Sequence, residues 1–248
     1  MQINRYPTLA ARVAKELRKQ LKSEYISGGK LPSEPEIAAQ FGVSRGTVRQ
    51  SLTILEREGI IFRRQGAGTF VNKYVLRIQA RIESAYEFSD LIRIAGFEAS
   101  IRQLDVEKIQ LPKAIAEMLE IDTDSRALSA SKLFLADGQP AIYCIDFVPC
   151  NLIRESYELS ELLQPIFTFL KNRCGQSIYM NLAEIIPEVA DASLAEILDM
   201  QPGEPLLRLD EIGHNDSGDP VLFSRIYFKD QFIRFTVLRK KIASEELF

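Results

Sequence analysis

Residues 31–71 read LPSEPEIAAQFGVSRGTVRQSLTILEREGIIFRRQGAGTFV, and the fold is decided here. In the opening run, Leu31-Pro32-Ser33-Glu34-Pro35-Glu36, Ser33 and Glu36 stand three apart as a capping box requires. Pro35 falls in the first helical turn, where its missing N–H is tolerated. The helix so started buries Ile37, Ala38 and Phe41 and stops at Gly42, a residue type suited to the left-handed C′ position. Only Val43 separates that stop from Ser44, a second N-cap, and a helix over 44–58 follows with Val48, Leu52 and Leu55 inward. Two short helices joined by so brief a glycine turn form a helix-turn-helix. Arg45, Thr47, Arg49, Gln50 and Thr53 occupy the face left over. Arg and Gln carry forked groups that match guanine and adenine edges, and Thr suits phosphates or thymine methyls. They gather toward the helix N-terminus, the end that enters the major groove in this motif. For any one of them an ordinary solvated face is the alternative; for the set it weakens.

Working outward, the period changes after Gly59. Ile60–Arg64 and Thr69–Lys73 flank Gln65-Gly66-Ala67-Gly68, a hairpin signal with Arg63 and Arg64 at its base. A glycine tip beside arginines suits a wing laid on the DNA backbone or in the minor groove. Upstream, Leu9, Val13, Leu17, Leu21 and Tyr25 recur every four residues, which predicts a helix from Thr8 to Tyr25 ended by Gly28-Gly29. Helix, helix-turn-helix and basic hairpin in that order make a winged helix. Charge agrees: residues 1–75 hold 13 Lys/Arg against 6 Asp/Glu, a net of +7 within a chain of net −3, so the remainder carries −10. A basic head on an acidic body is the footprint of a chain that puts one end on phosphate.

The same composition excludes other classes. With 46% hydrophobic and 26% charged residues, the 248-residue chain has the makings of two soluble globular domains. It has no apolar run long enough to span a bilayer and no apolar signal segment near Met1, so no membrane partner is expected. Cys144, Cys150 and Cys174 are too few and scattered for a disulfide framework or zinc site, and read as small buried hydrophobes in a reducing, cytoplasmic setting. The one histidine, His214, sits in His214-Asn215-Asp216-Ser217-Gly218 and is expected to be an exposed turn residue. Without a second histidine or clustered cysteines, no metal site, nucleophilic dyad or other catalytic residue is expected, nor any cofactor.

Residues 5–73 resemble the DNA-binding signature of the GntR superfamily, with spacing and glycine placement in agreement throughout. The resemblance implies that Arg45, Thr47 and Arg49 contact operator DNA and that Gly66 reaches the minor groove. Where that family usually has Arg after the Ser-Glu pair, this chain has Pro35. One DNA anchor is therefore missing, which shifts the expected operator preference.

The acidic body contains an echo. Ala116-Glu117-Met118-Leu119-Glu120-Ile121 returns 79 residues later as Ala195-Glu196-Ile197-Leu198-Asp199-Met200. Each copy precedes a strand, a turn (Asp137-Gly138-Gln139-Pro140 or Asp216-Ser217-Gly218-Asp219-Pro220) and a second strand, Ile142–Val148 or Val221–Phe228. Two helix-hairpin units are expected to build one antiparallel sheet with helices packed on it. Helices are expected over Ala85–Ile94 and Leu162–Arg173, a strand over Ile178–Glu188, and an extended linker over Tyr74–Ile82. The order of the two turns, of Phe167-Thr168-Phe169-Leu170 with Gly175, and of Gly203-Glu204-Pro205-Leu206 resembles the UTRA domain of HutC-type GntR regulators, a chorismate-lyase-like fold. The expectation is an α+β chain: an N-terminal winged helix-turn-helix over 1–74, a linker over 75–89, and a UTRA-like effector-binding and dimerisation domain over 90–240.

That resemblance implies a homodimeric regulator of double-stranded operator DNA, most often a repressor, controlled by a small-molecule effector. The effector site is expected around Lys132, Phe134, Cys144, Phe167, Thr168 and Leu222. Sugar-phosphate-sensing members place two arginines two apart where this chain has Lys132 and Phe134, and glutamates where it has Cys144 and Leu222. A less polar or singly anionic effector is therefore expected. An effector-blind regulator with a degenerate domain, and a chorismate-lyase-like enzyme, are the alternatives.

Overall fold

The computed structural model describes residues 7–23, 29–76, 78 and 80–239. The chain forms two compact units, Met1–Arg81 with Thr236–Phe248, and Ile82–Phe235.

In the first unit lie α1 (Leu9–Ser23), α2 (Glu34–Phe41), α3 (Arg45–Arg57), the hairpin β1 (Ile61–Arg64) and β2 (Gly68–Val71), α4 (Lys73–Leu76) and the two-residue β3 (Ala80–Arg81). Leu17, Leu21, Ile37, Val48, Leu52, Leu55 and Ile61 close a single core. The Ser51 hydroxyl, fully buried, reaches the carbonyl of Ala10 at 2.9 Å and that of Thr47 at 2.8 Å, tying α3 to α1. The Glu36 carboxylate accepts from the Ser33 N–H at 2.7 Å, which fixes the entry into α2. Gly42 ends α2 at φ 63°, in the left-handed region, with its N–H on the carbonyls of Ala38 and Ala39. Tyr25 and Gly28, expected at the end of α1, lie outside the described residues. The expected extended linker instead begins as the short helix α4: the N–H groups of Val75 and Leu76 return to the Asn72 carbonyl, and Val75 joins the core. Sequence gave no sign that the chain returns to this unit, where Leu238 packs on the same core.

The second unit is built on a six-stranded antiparallel sheet, ordered β4-β5-β6-β9-β8-β7. The strands are β4 (Ala99–Gln110), β5 (Arg126–Ala136), β6 (Gln139–Pro149), β7 (Met180–Val189), β8 (Pro205–His214) and β9 (Pro220–Phe228). Helix α5 (Phe88–Ile94) precedes β4, α6 (Lys113–Met118) joins β4 to β5, α7 (Ile166–Phe169) follows β6, and α8 (Ala192–Leu198) joins β7 to β8. The order is two three-stranded meanders meeting at the β6–β9 seam, so the sequence echo is the mark of an internal pseudo-symmetry. Helices α6 and α8 pack on one face, against Ala127, Phe147 and Phe223 and against Leu133, Tyr143 and Tyr227. On the other face α7 packs against Leu128, Ala130, Val148 and Leu222.

Two local expectations change. β4 was not foreseen, because a register shift between Gln103 and Asp105 breaks the period-two alternation that marks a strand. The helix expected over Leu162–Arg173 is split at Pro165, which supplies no N–H: a 3-10 turn (Leu159–Leu163) precedes it, and α7 with a π-turn (Leu170–Cys174) follows.

Candidate functional site

The first unit carries a basic, exposed face at the N-terminal end of α3. Ser44 caps the helix by accepting the Thr47 N–H at 3.1 Å, and its hydroxyl lies 2.9 Å from that of Thr47. Arg45 and Gln50 are exposed, and Arg45 has no ion pair among the described residues. Arg49, its side chain 67% exposed, is held by Glu34 of α2 at 3.0 Å, and this hydrogen bond raises the guanidinium pKa further. In the wing Arg63 pairs with Glu56 at 3.3 Å. Arg64 lies over both aromatic rings of the hairpin, 5.3 Å from Phe62 and 5.2 Å from Phe70. Gly66 at the tip has φ 72° and nothing within 4 Å of where a Cβ would stand, so the tip is narrow and unobstructed. The candidate residues thus share one unit, with Glu34 and Glu56 as tethers that the spacing did not disclose.

In the second unit a cavity of about 750 Å³, its open mouth included, lies over the sheet face opposite α6 and α8. Segment 82–88, the start of α5 and Pro165–Phe167 form its walls and roof. Phe88 fixes α5 edge-on against Phe134, with ring centroids 5.1 Å apart, and against Phe228 at 5.9 Å. The floor is a polar row running across the strands. Asp146 of β6 stands opposite Ser224 of β9, and Ser224 opposite Glu211 of β8. Lys132 on β5 reaches Asp146 diagonally at 3.1 Å, both side chains being only 3% exposed. Asp146 also accepts from the Ser224 hydroxyl at 2.6 Å and from the Cys144 thiol at 3.5 Å. At the far end the Asn181 amide of β7 donates to Glu211 at 3.1 Å.

Burial raises the pKa of Glu211, with Asp146 adding to it and the Asn181 hydrogen bond opposing. Burial does the same to Glu87, the N-cap residue of α5, whose carboxylate makes no cap hydrogen bond; Lys132 opposes this, and Asp90 and Asp146 reinforce it. For Lys132 burial works downward, but Asp146, Cys144 and Glu87 outweigh it and the ammonium pKa is raised. Burial pushes the Cys144 thiol well above its usual range, so it is no nucleophile.

Of the residues expected here, Lys132, Phe134, Phe167 and Leu222 line the cavity, while Cys144 and Thr168 do not. Cys144 is buried beneath Asp146, and Thr168 is half-buried on α7. Lys132 is not the free cation that a singly anionic effector needs, since Asp146 already neutralises it. Asp146, Glu211, Ser224, Asn181 and Glu87 were missed. One signal existed for Asp146: it is the single charge in Ile142–Val148 and shares a strand face with Cys144 and Val148. His214, expected in an exposed turn, instead ends β8 half-buried, its Nδ1 without a hydrogen-bond partner among the described residues. Among the described residues no group of three or more His, Cys, Asp or Glu is placed to hold a metal, and no helix is long and apolar enough to cross a membrane.

Residues 95–233 match the family described as UTRA domain, and residues 9–71 match "Bacterial regulatory proteins, gntR family". The chain is 28% identical over 208 residues to the HTH-type transcriptional repressor NagR of Bacillus subtilis (strain 168), covering 82% of this chain and 84% of that one. In solved structures its fold resembles the transcriptional regulator YydK of Bacillus subtilis, with TM-score 0.77, 22% identity and coverage of 94% and 100%. It also resembles PhnF of Mycobacterium smegmatis, with TM-score 0.57, 22% identity and coverage of 92% and 99%.

Proposed function

The chain belongs to the bacterial gntR-family regulators that carry a UTRA domain, and we propose from this that it binds operator DNA as a cytoplasmic homodimer and releases or tightens its grip when a small molecule enters the sheet-floored cavity. The observation that carries the DNA half is the cluster Arg45, Thr47, Arg49 and Gln50 at the capped, exposed end of α3, beside a wing with Arg63, Arg64 and the open tip Gly66. Bidentate Arg and Gln contacts read base edges, while wing cations and the narrow tip take phosphate and minor groove.

Dimerisation is supported at the sheet edge. β7 is an outer strand, and Met180, Leu182, Ile185 and Val189 along it, with Tyr179 just before it, are exposed. An open apolar edge is a template for pairing with another chain, and a two-fold pairing would present two recognition helices to a palindromic site. Coupling has two covalent routes, since the chain leaves the first unit after Arg81 and re-enters it at Thr236. We read the cavity as a sensing site without catalysis: the Ser224 hydroxyl that meets Asp146 is buried in the floor, Lys132 already neutralises that carboxylate, and burial keeps the Cys144 thiol protonated. An open cavity also favours sensing over an effector-blind body, in which apolar side chains would fill that space.

Mobility-shift titration against DNA upstream of the protein's own operon tests the proposal. Specific binding should exceed binding to random DNA by at least about 10³-fold near physiological salt and weaken steeply as salt rises. Equal affinity for both DNAs would refute operator recognition.

A further inference from the structure

We propose that the effector is a small organic cation, a protonated amine on a short apolar body, held with its ammonium against Glu211 and Asn181. The inference rests on the reading of the cavity as the effector site. Four acidic or basic side chains that line the cavity decide its charge near neutral pH: Glu87, Asp146 and Glu211 against Lys132. Lys132 and Asp146 cancel one another at 3.1 Å. What the cavity offers a ligand is therefore the pair Glu87 and Glu211. Lys171 lines an adjoining outer cleft that shares Ala85, Phe167 and Asn181, but it does not line the cavity itself.

A second, independent feature is an orphan acceptor. Asn181 gives its amide N–H to the Glu211 carboxylate at 3.1 Å, which fixes the orientation of the amide and leaves Oδ1 as an acceptor. That oxygen is shut off from solvent and has no partner among the described residues. A buried acceptor without a donor is costly, and a small shift of the Asn181 side chain toward the cavity would let a ligand N–H supply that donor. An ammonium has three donors, enough for Oδ1 and the Glu211 carboxylate together. The aromatic rings of Phe88, Phe134 and Phe228 line the cavity further along the strands, away from Glu211, and with Phe167 they suit an apolar body. A phosphate or carboxylate would meet two carboxyl groups and no unpaired cation. Burial already strains both carboxylates toward the neutral form, and an incoming ammonium relieves that strain.

The test uses the full chain and four probes: benzylamine, benzyl alcohol, benzoate and glucose 6-phosphate, measured by calorimetric titration and thermal shift. Benzylamine is expected to bind at least about tenfold tighter than benzyl alcohol, and neither anion should bind. Glu211→Gln keeps the side-chain shape and the hydrogen bond from Asn181 and removes the charge. It should weaken benzylamine about tenfold or more while leaving benzyl alcohol within about twofold. Tighter binding of benzoate or glucose 6-phosphate than of benzylamine overturns the cation proposal while leaving the cavity as an effector site. An unchanged benzylamine affinity in Glu211→Gln overturns it too. No binding or melting shift with any of the four, at concentrations up to about 10 mM for a weak fragment, overturns both this proposal and the effector-site reading.

Discussion

Replacing Lys132 by Met should destabilise the second unit far more than any surface charge change. At the 3.1 Å separation of Lys132 and Asp146, Coulomb attraction at an effective dielectric near 20 is roughly 5 kcal/mol. Removing two ions from water costs several kcal/mol each, so the intact pair adds little net stability. The single variant removes the attraction but leaves the desolvation cost. Asp146 stays 3% exposed, with the Ser224 hydroxyl at 2.6 Å as its shortest hydrogen bond. The expected loss is about 3–5 kcal/mol, or roughly 6–20 °C in melting temperature for a unit of this size. Lys132→Met with Asp146→Leu, which removes both charges, should return to within about 1–2 kcal/mol of the parent. The chain has no tryptophan, so urea unfolding is best followed by far-ultraviolet circular dichroism, with the transitions of the two units fitted separately. A loss below about 1 kcal/mol for the single variant, or a double variant as unstable as the single, would refute the reasoning.

Arg45→Ala and Arg49→Ala should each cost roughly 1–3 kcal/mol of operator binding by mobility shift. Melting should move little, because the one ion pair lost, Arg49 to Glu34, is exposed and worth at most about 1 kcal/mol; unchanged binding would show that α3 is not the recognition helix. Gly42→Ala should destabilise the first unit by about 1 kcal/mol in denaturant melts. Its φ of 63° penalises a Cβ, whereas nothing within 4 Å would clash with one, so Gly42→Asn should be milder. Glu211→Gln should stabilise the ligand-free chain at neutral pH. A carboxyl whose pKa is raised on folding opposes folding above that raised value and ceases to oppose it as pH falls toward the ordinary 4.5. The gain should therefore fade in melts taken from pH 8 down to pH 4, and a gain independent of pH would contradict the cause given.

The head was legible in sequence because its signals are local. Ser33, Gly42, Ser44 and the Gly66–Gly68 tip mark element ends within a few residues, and the structure places α2, α3 and the hairpin between them. What it did not disclose is tertiary: the Glu34 and Glu56 tethers, and Leu238 arriving in the core from the other end of the chain. The body was legible as architecture through its repeat, which fixed β5, β6, β8, β9 and two helices. β4 escaped because a bulge at Leu104 breaks its alternation, and the helix before Gly175 was read as one piece across Pro165. The floor of the cavity escaped for a different reason. Asp146, Ser224, Glu211 and Asn181 come from four strands, and only the register of the sheet sets them in one row.

That row also acts as an alignment key during assembly of the sheet. Side chains alternate faces along a strand, so a one-residue slip of β5 against the sheet would turn Lys132 toward the face where α8 packs on Leu133 and Tyr143. A two-residue slip in one direction would keep the face but set Lys132 opposite Ile142, out of reach of Asp146. Apolar strands like these, whose flanking residues are interchangeably greasy, are prone to mispair, and a one-residue slip here strands a charge in a dry layer. The central strands are thus held in phase at a place in their interior where hydrophobicity was given up.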